Sequence, residues 1–274
     1  MQIGSQGFPY SDILALGVVE TIDFNNIAAL QMLPGAQIFS TIGSSIVIPS
    51  STFMLLSNLT SSIRVSNFPT VAQQMQVVST SANDTGAGTG VQQVEIDYLT
   101  DPASATLFTR FTEIVTLNGV TPVNTAATGI SRIEHMRASR VGSASVAQGD
   151  ISLQSVGGAT TFELMPAGEN INRTCVHFVP NGYMCVVTDI LVGTTTAAGV
   201  RFSFTDVLSD PVGNIVRVGL EEISLSGSGI GKSIRTPFFM SNPNNKRLSF
   251  AITVRGQASN QQGSGSFNAI DIPL

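Results

Sequence analysis

The run from Gln74 to Thr125, QMQVVSTSANDTGAGTGVQQVEIDYLTDPASATLFTRFTEIVTLNGVTPVNT, constrains the fold more than any other part of this chain. Short β-branched and aromatic segments alternate with polar, Gly-rich turns, as in strands joined tightly into antiparallel sheets. Val94, Ile96 and Tyr98 fall on one face of a strand and Gln93, Glu95 and Asp97 on the other, so one side meets a core and the other meets water. Phe111–Leu117 ends at Asn118-Gly119, the residue pair that most favours a tight hairpin turn. Almost nothing in the run could do chemistry.

Composition extends this reading to the whole chain. Only 11% of its 274 residues are charged, against about a quarter in ordinary soluble domains. Surface helices are normally coated with Glu, Lys and Arg, so the shortage favours an all-β protein built from antiparallel β-sandwich domains. The net charge is −5 and the 13 basic residues are scattered, which disfavours nucleic acid as a partner because neutralising phosphates takes clustered Lys and Arg. No segment approaches the roughly 20 apolar residues of a bilayer span, so no membrane partner is expected. The opening MQIGSQGFPYSD lacks the basic-then-apolar pattern of a secretory signal. The triplets starting at Asn58, Asn83 and Asn172 read as chance matches to the glycosylation motif in a Ser/Thr-rich chain.

Helix candidates are confined to Ile13–Val18, behind Ser11-Asp12, and Phe24–Leu30. From Ile38 onward the pattern is β, through Ile46-Val47-Ile48, Phe53–Leu56 and Ile63-Arg64-Val65. Arg132–Val141 is charged enough for an edge or interface strand. Eight further strand candidates cover 160–165, 173–179, 183–192, 200–207, 214–221, 233–240, 247–255 and 266–272, a spacing that suggests a jelly-roll-like C-terminal half. Composition relaxes at Val156-Gly157-Gly158-Ala159. That places an N-terminal arm or docking segment at 1–35, a β-domain at 36–157 and a jelly-roll-like β-sandwich at 158–274.

Candidate chemistry is sparse. Gly227–Ser233 ends in the Gly-Lys-Ser of a phosphate loop, but Ser226 stands where the first Gly belongs and Pro237 interrupts the helix such a loop needs. Gly86-Ala87-Gly88-Thr89-Gly90 has the wrong spacing for a dinucleotide fingerprint and reads as a turn. His135 and His177, the only histidines, and Cys175 and Cys185, the only cysteines, match no zinc pattern. A two-residue turn at Asn181-Gly182 would set Cys175 opposite Thr188 and Cys185 opposite Phe178, leaving two buried free thiols. Asp206, Asp210 and Glu221-Glu222 are the only carboxylates that suggest a pair, and a strand end accounts for them better. The dispersed methionines read as core filling. Catalytic, cofactor-binding and metal-ligating residues are therefore all expected to be none.

Four groups of residues carry a resemblance. They are Val78–Thr85 with Gly88-Thr89-Gly90, Glu113–Gly119 with Thr121-Pro122-Val123, Val141–Ala144 with Gly149-Asp150-Ile151, and Ala167–Asn170 followed by Val179–Gly182. In order and spacing, across about residues 70–190, this resembles a family of structural proteins in the virions of tailed bacteriophages, especially aquatic ones. Tyr183 departs from it, standing where relatives commonly carry a basic residue.

The resemblance implies a non-enzymatic virion component, assembled in the host cytoplasm: a capsid decoration or cement subunit, or a minor capsid protein. A tail- or fibre-associated protein and a receptor- or glycan-binding module are the alternatives. Implied partners are copies of itself, a trimer among the options, other virion proteins such as major capsid or tail proteins, and a host receptor.

Overall fold

The structure is a computed structural model describing residues 34–50, 53–57, 69, 71–100, 110–196, 199–209, 215–227, 230–234, 238–242, 247–258 and 261–274. For 46, 205–209, 215–221, 230, 234, 238–240, 242 and 247–248 the backbone alone is described. Both helix candidates, the Ile63-Arg64-Val65 strand and nearly all of the 1–35 arm lie outside these residues.

The described chain is all-β and antiparallel. It opens with β1 (Gln37–Ile48) and β2 (Met54–Leu55). A middle group follows: β3 (Met75–Ser79), β4 (Val91–Thr100), β5 (Arg110–Thr116), β6 (Val123–Asn124), β7 (Ile130–Val141), β8 (Ile151–Ser155) and β9 (Thr161–Met165). The last group is β10 (Val176–Phe178), β11 (Tyr183–Thr194), β12 (Val200–Ser209), β13 (Ile215–Leu225), β14 (Ile230–Ile234), β15 (Phe238–Asn242), β16 (Arg247–Gly256) and β17 (Gln261–Pro273).

The first and last groups build one jelly roll. Its pairings are nested: β1 with β17, β10 with β16, β11 with β14 and β15, and β12 with β13. Nested pairs are a single long hairpin, and rolling it up sends successive pairs to alternate sheets, here β1-β17-β11-β14 and β10-β16-β12-β13. Phe202, Phe204, Phe250 and Phe267 fill the space between the sheets. Phe204 stacks on Phe250 at 5.3 Å and meets Phe267 edge-on at 5.4 Å. The Gly-Ser-Gly-Ser run of β17 serves this core. A Cβ on Gly263 would stand 2.9 Å from the Phe202 ring, so the inward positions are empty and the serines point outward.

The middle group is inserted into one strand of the roll. β2 and β10 both pair with β16 and run in the same direction along it. At the break, Leu56 N donates to Ile252 O (2.9 Å), Cys175 N to Leu56 O (2.9 Å) and Ile252 N to Cys175 O (3.1 Å). The chain thus leaves the strand after Leu56 and rejoins it at Cys175. Ser57 and Thr174 form an antiparallel bridge whose hydroxyls lie 3.0 Å apart, closing the neck.

The insertion is a sandwich of its own, with sheets β6-β3-β8-β9 and β5-β4-β7 over a separate core that includes Met75, Val77, Ile96, Ile133, Met136 and Met165. Val94, Ile96 and Tyr98 face that core, as their alternation requires. One corner closes on the buried Asp84 carboxylate. Its Oδ2 accepts from Ser79 Oγ (2.6 Å) and Gly149 N (2.9 Å), and its Oδ1 from Val91 N (2.8 Å) and Gln148 N (3.0 Å). Gly90 belongs to this corner because a Cβ there would stand 2.0 Å from Asp84 Oδ1.

Two expectations change. The boundary at 157/158 falls in the β8–β9 hairpin, where Gly157 and Gly158 supply the positive φ of the turn. The 36–57 segment meanwhile pairs with the C-terminal strands rather than with 71–157. Asn118-Gly119 and Asn181-Gly182 do turn, but β5 and β6 enter different sheets, as do β10 and β11. Each pair is a corner between sheets, so Cys185 lies opposite Asp271 and Met240 instead of Phe178. Both thiols are free and buried. The mimic of a phosphate loop ends in β14, where Gly231-Lys232-Ser233 pairs with β11.

Candidate functional site

Buried ionisable groups converge where the insertion rejoins the roll. Arg110 comes from β5 and Glu134 from β7 of the insertion; His177 comes from β10, Cys185 from β11 and Asp271 from β17 of the roll. Alternation explains the last three. Asp271 shares the inward face of β17 with Phe267 and Ala269, and His177 shares that of its segment with Cys175 and Val179.

Arg110 is the hub. Its Nε donates to Glu134 Oε2 (2.7 Å), and Nη2 reaches Glu134 Oε1 (3.0 Å), Asp271 Oδ2 (3.0 Å) and Phe178 O (3.3 Å). Nη1 donates to Gln37 Oε1 (2.8 Å), and the guanidinium lies 4.0 Å from the Phe39 ring centre. Glu134 Oε1 also accepts from Phe178 N at 3.0 Å, satisfying a backbone donor on β10, the edge strand of its sheet. His177 lies between the two acids, with Nε2 3.0 Å from Asp271 Oδ1 and Nδ1 3.3 Å from Glu134 Oε1. The side chains of Glu134 and Asp271 are wholly buried.

Burial alone would raise the Glu134 carboxyl, but Arg110 and His177 outweigh it and hold the group well below the usual carboxylate range. Burial alone would lower His177, but Asp271 and Glu134 outweigh it and hold the imidazole well above its usual value. Two cations then face two anions. Burial pushes the Cys185 thiol up to about 12. Burial likewise depresses His135, the neighbour of Glu134 on β7.

A pH dependence follows for the metal-free protein. The contribution of Glu134 is complete above its unfolded value of 4.5 and is lost as pH falls towards the folded one. That of His177 is complete below its unfolded value of 6.5 and is lost as pH rises through the folded one. The cluster therefore stabilises most between 4.5 and 6.5. Denaturant midpoints measured against pH in the presence of a chelator should fall on both sides, and His177→Gln should flatten the alkaline side. A wild-type profile that is flat there would contradict the assignment.

Cys185, His177 and Asp271 are a nucleophile, a base and an acid in kind, but all three are buried, so the sulfur is not presented at the surface. The same three are metal-ligating types with donor atoms within 4.8 Å of one another. Of the other candidates, Glu222 is exposed and pairs with Arg201 at 3.4 Å, while the side chains of Asp206, Asp210 and Glu221 lie outside the described set. The cluster itself was not anticipated from the sequence. Its one local signal is Asp271 itself, an acid at an inward position of an otherwise apolar strand end.

No family model matches the chain, and no curated protein sequence is significantly similar to it. Among solved structures, the chain is similar to the VP2 subviral particle of infectious bursal disease virus, with a TM-score of 0.28 and 10% identity over 88% of this chain and 73% of that one. Another is the infectious bursal disease virus Gt strain, with a TM-score of 0.26 and 11% identity over 92% and 78%. A Parabacteroides distasonis protein described as secreted gives 0.21 and 7% over 90% and 94%. Scores of this size do not establish a common fold or function.

Proposed function

We propose that the chain is a non-enzymatic structural component of a bacteriophage virion, as a capsid decoration, cement or minor capsid protein that acts through subunit contacts. The observation that carries this reading is the face of sheet β1-β17-β11-β14 turned away from the core. Its rows Ser40-Asn268-Asp189, Ile42-Ser266-Leu191-Ser233 and Ser44-Ser264-Gly193-Gly231 hold a single charged residue. Ile42 and Leu191 remain 40% and 53% exposed on it. These rows line a shallow depression bordered by Arg173, and a sheet face so poor in charge, with protruding apolar side chains, suits burial against further copies or another shell protein. Jelly rolls recur in viral shells, a fold-level analogy that agrees with the sequence resemblance. The buried Cys185, His177 and Asp271 favour a role without catalysis.

Gold-labelled antibody applied to purified particles tests the location. Label over the head is the expected result, label at the tail would favour the tail- or fibre-associated alternative, and no label on intact or opened particles would contradict both. Jelly rolls also host lectins. Sugar sites stack rings on exposed aromatics, yet Phe111 is the one aromatic among the exposed large apolar side chains of the described residues. A glycan array without hits is expected, and a saturable hit lost in Phe111→Ala would move the assignment to a glycan-binding module.

A further inference from the structure

We propose that Cys185 Sγ, His177 Nε2 and Asp271 Oδ1 are the protein ligands of a buried divalent-metal site of the zinc class. Cys185 stands directly opposite Asp271 in the β11–β17 register, and His177 reaches them from β10 in the other sheet. Their donor atoms lie within 4.8 Å of one another, with Nε2 and Oδ1 already at 3.0 Å. Tetrahedral zinc with bonds of about 2.0–2.3 Å separates its donors by roughly 3.3–3.8 Å. Side-chain shifts of about 1 Å or less close the set around an ion, leaving its fourth position to a water or a second carboxylate oxygen.

A further feature points to an ion. The outer atoms of the ligands are held as metal sites hold them. Glu134 Oε1 sits 3.3 Å behind His177 Nδ1, a buried nitrogen that otherwise has no hydrogen-bond partner, and Arg110 Nη2 holds Asp271 Oδ2 at 3.0 Å. A thiolate and an imidazole select zinc-like ions over calcium or magnesium. The ion would clamp β10 to β11 and β17 beside the neck, fixing the strand that carries the insertion.

The test uses the full chain, expressed with supplementary zinc and purified without chelator. About one zinc per chain is expected, because a buried site of this kind exchanges slowly. Chain unfolded with chelator and refolded with Co²⁺ should show a thiolate-to-cobalt charge-transfer band. Cys185→Ser leaves the four charged groups in place and should lose the zinc and the band. Cys175→Ser, whose sulfur contacts the Thr41 hydroxyl at 3.3 Å, should keep both. A wild-type chain that carries less than about a tenth of an equivalent, and takes up no Co²⁺ on refolding, overturns the proposal. So does zinc retained equally by Cys185→Ser. If Cys185→Ser does not fold, the cobalt spectrum of the wild type decides alone.

Discussion

Replacing Arg110 by Met should cost about 3–5 kcal/mol of stability, the usual consequence of leaving a buried charge without its partner. The side chain of Arg110 answers Glu134 and Asp271 at once, and neither acid has exposed surface through which water could replace it. Lost packing is the smaller part of the effect. The double variant Arg110→Met/Glu134→Gln should therefore be more stable than Arg110→Met alone, since one of the stranded anions is gone. Arg110→Lys should recover only part of the loss, because a single ammonium cannot present the fork that reaches Glu134, Asp271, Gln37 and Phe178 O together. Urea denaturation of the four proteins at pH 6 checks this. A double variant less stable than the single one would contradict the electrostatic explanation.

Asp84→Ala should be of similar size and act within the insertion, at the corner between Ser79, Val91 and Gly149. Removing this carboxylate strands the backbone N–H groups of Val91, Gln148 and Gly149 together with the Ser79 hydroxyl. At about 1–3 kcal/mol for each buried donor left unmade, partial relaxation still leaves a loss on the order of 4 kcal/mol. Asp84→Asn should be milder, but it turns an NH₂ towards at least one donor. Hydrogen exchange should locate the damage. Amides at 79–91 and 147–151 should lose protection first, while those of β16 and β17 keep theirs. Uniform loss across the roll would show that the corner is not the local lock described above.

The strands were largely legible because alternation and turn residues are local properties. All eight candidates after residue 159 correspond to strands; the one at 233–240 spans the end of β14 and the start of β15. Arg132–Val141 proved both edge and interface, since β7 borders its sheet and sends Glu134 into the roll. Methionine as core filling holds for Met54, Met75, Met136 and Met165.

Connectivity was not legible. Asn-Gly reports that the chain reverses, but here only Gly119 and Gly182 take a positive φ, not the asparagines as a two-residue hairpin would require, and the sheet the next strand joins is set by distant partners. Gly157-Gly158 looked like a linker because a hairpin turn and a domain boundary share a composition. The nested plan rests on β1 meeting β17, more than two hundred residues away, and on a strand interrupted at Leu56 and resumed at Cys175. No periodicity encodes either. The buried cluster was hidden for the same reason, with Arg110 and Asp271 lying 161 residues apart. His135, flagged for its neighbour Glu134, takes no part in the cluster's hydrogen bonds, whereas Glu134 on the opposite face does.

The proposed role is to supply shape and contact area to a particle. Quantitative mass spectrometry of purified, nuclease-treated particles from the proposed source phage tests this most directly. A fixed copy number tied to particle symmetry is expected, in the hundreds for a shell subunit or roughly three to eighteen for a tail ring or trimer. Its absence from particles that contain the major capsid protein would contradict the claim.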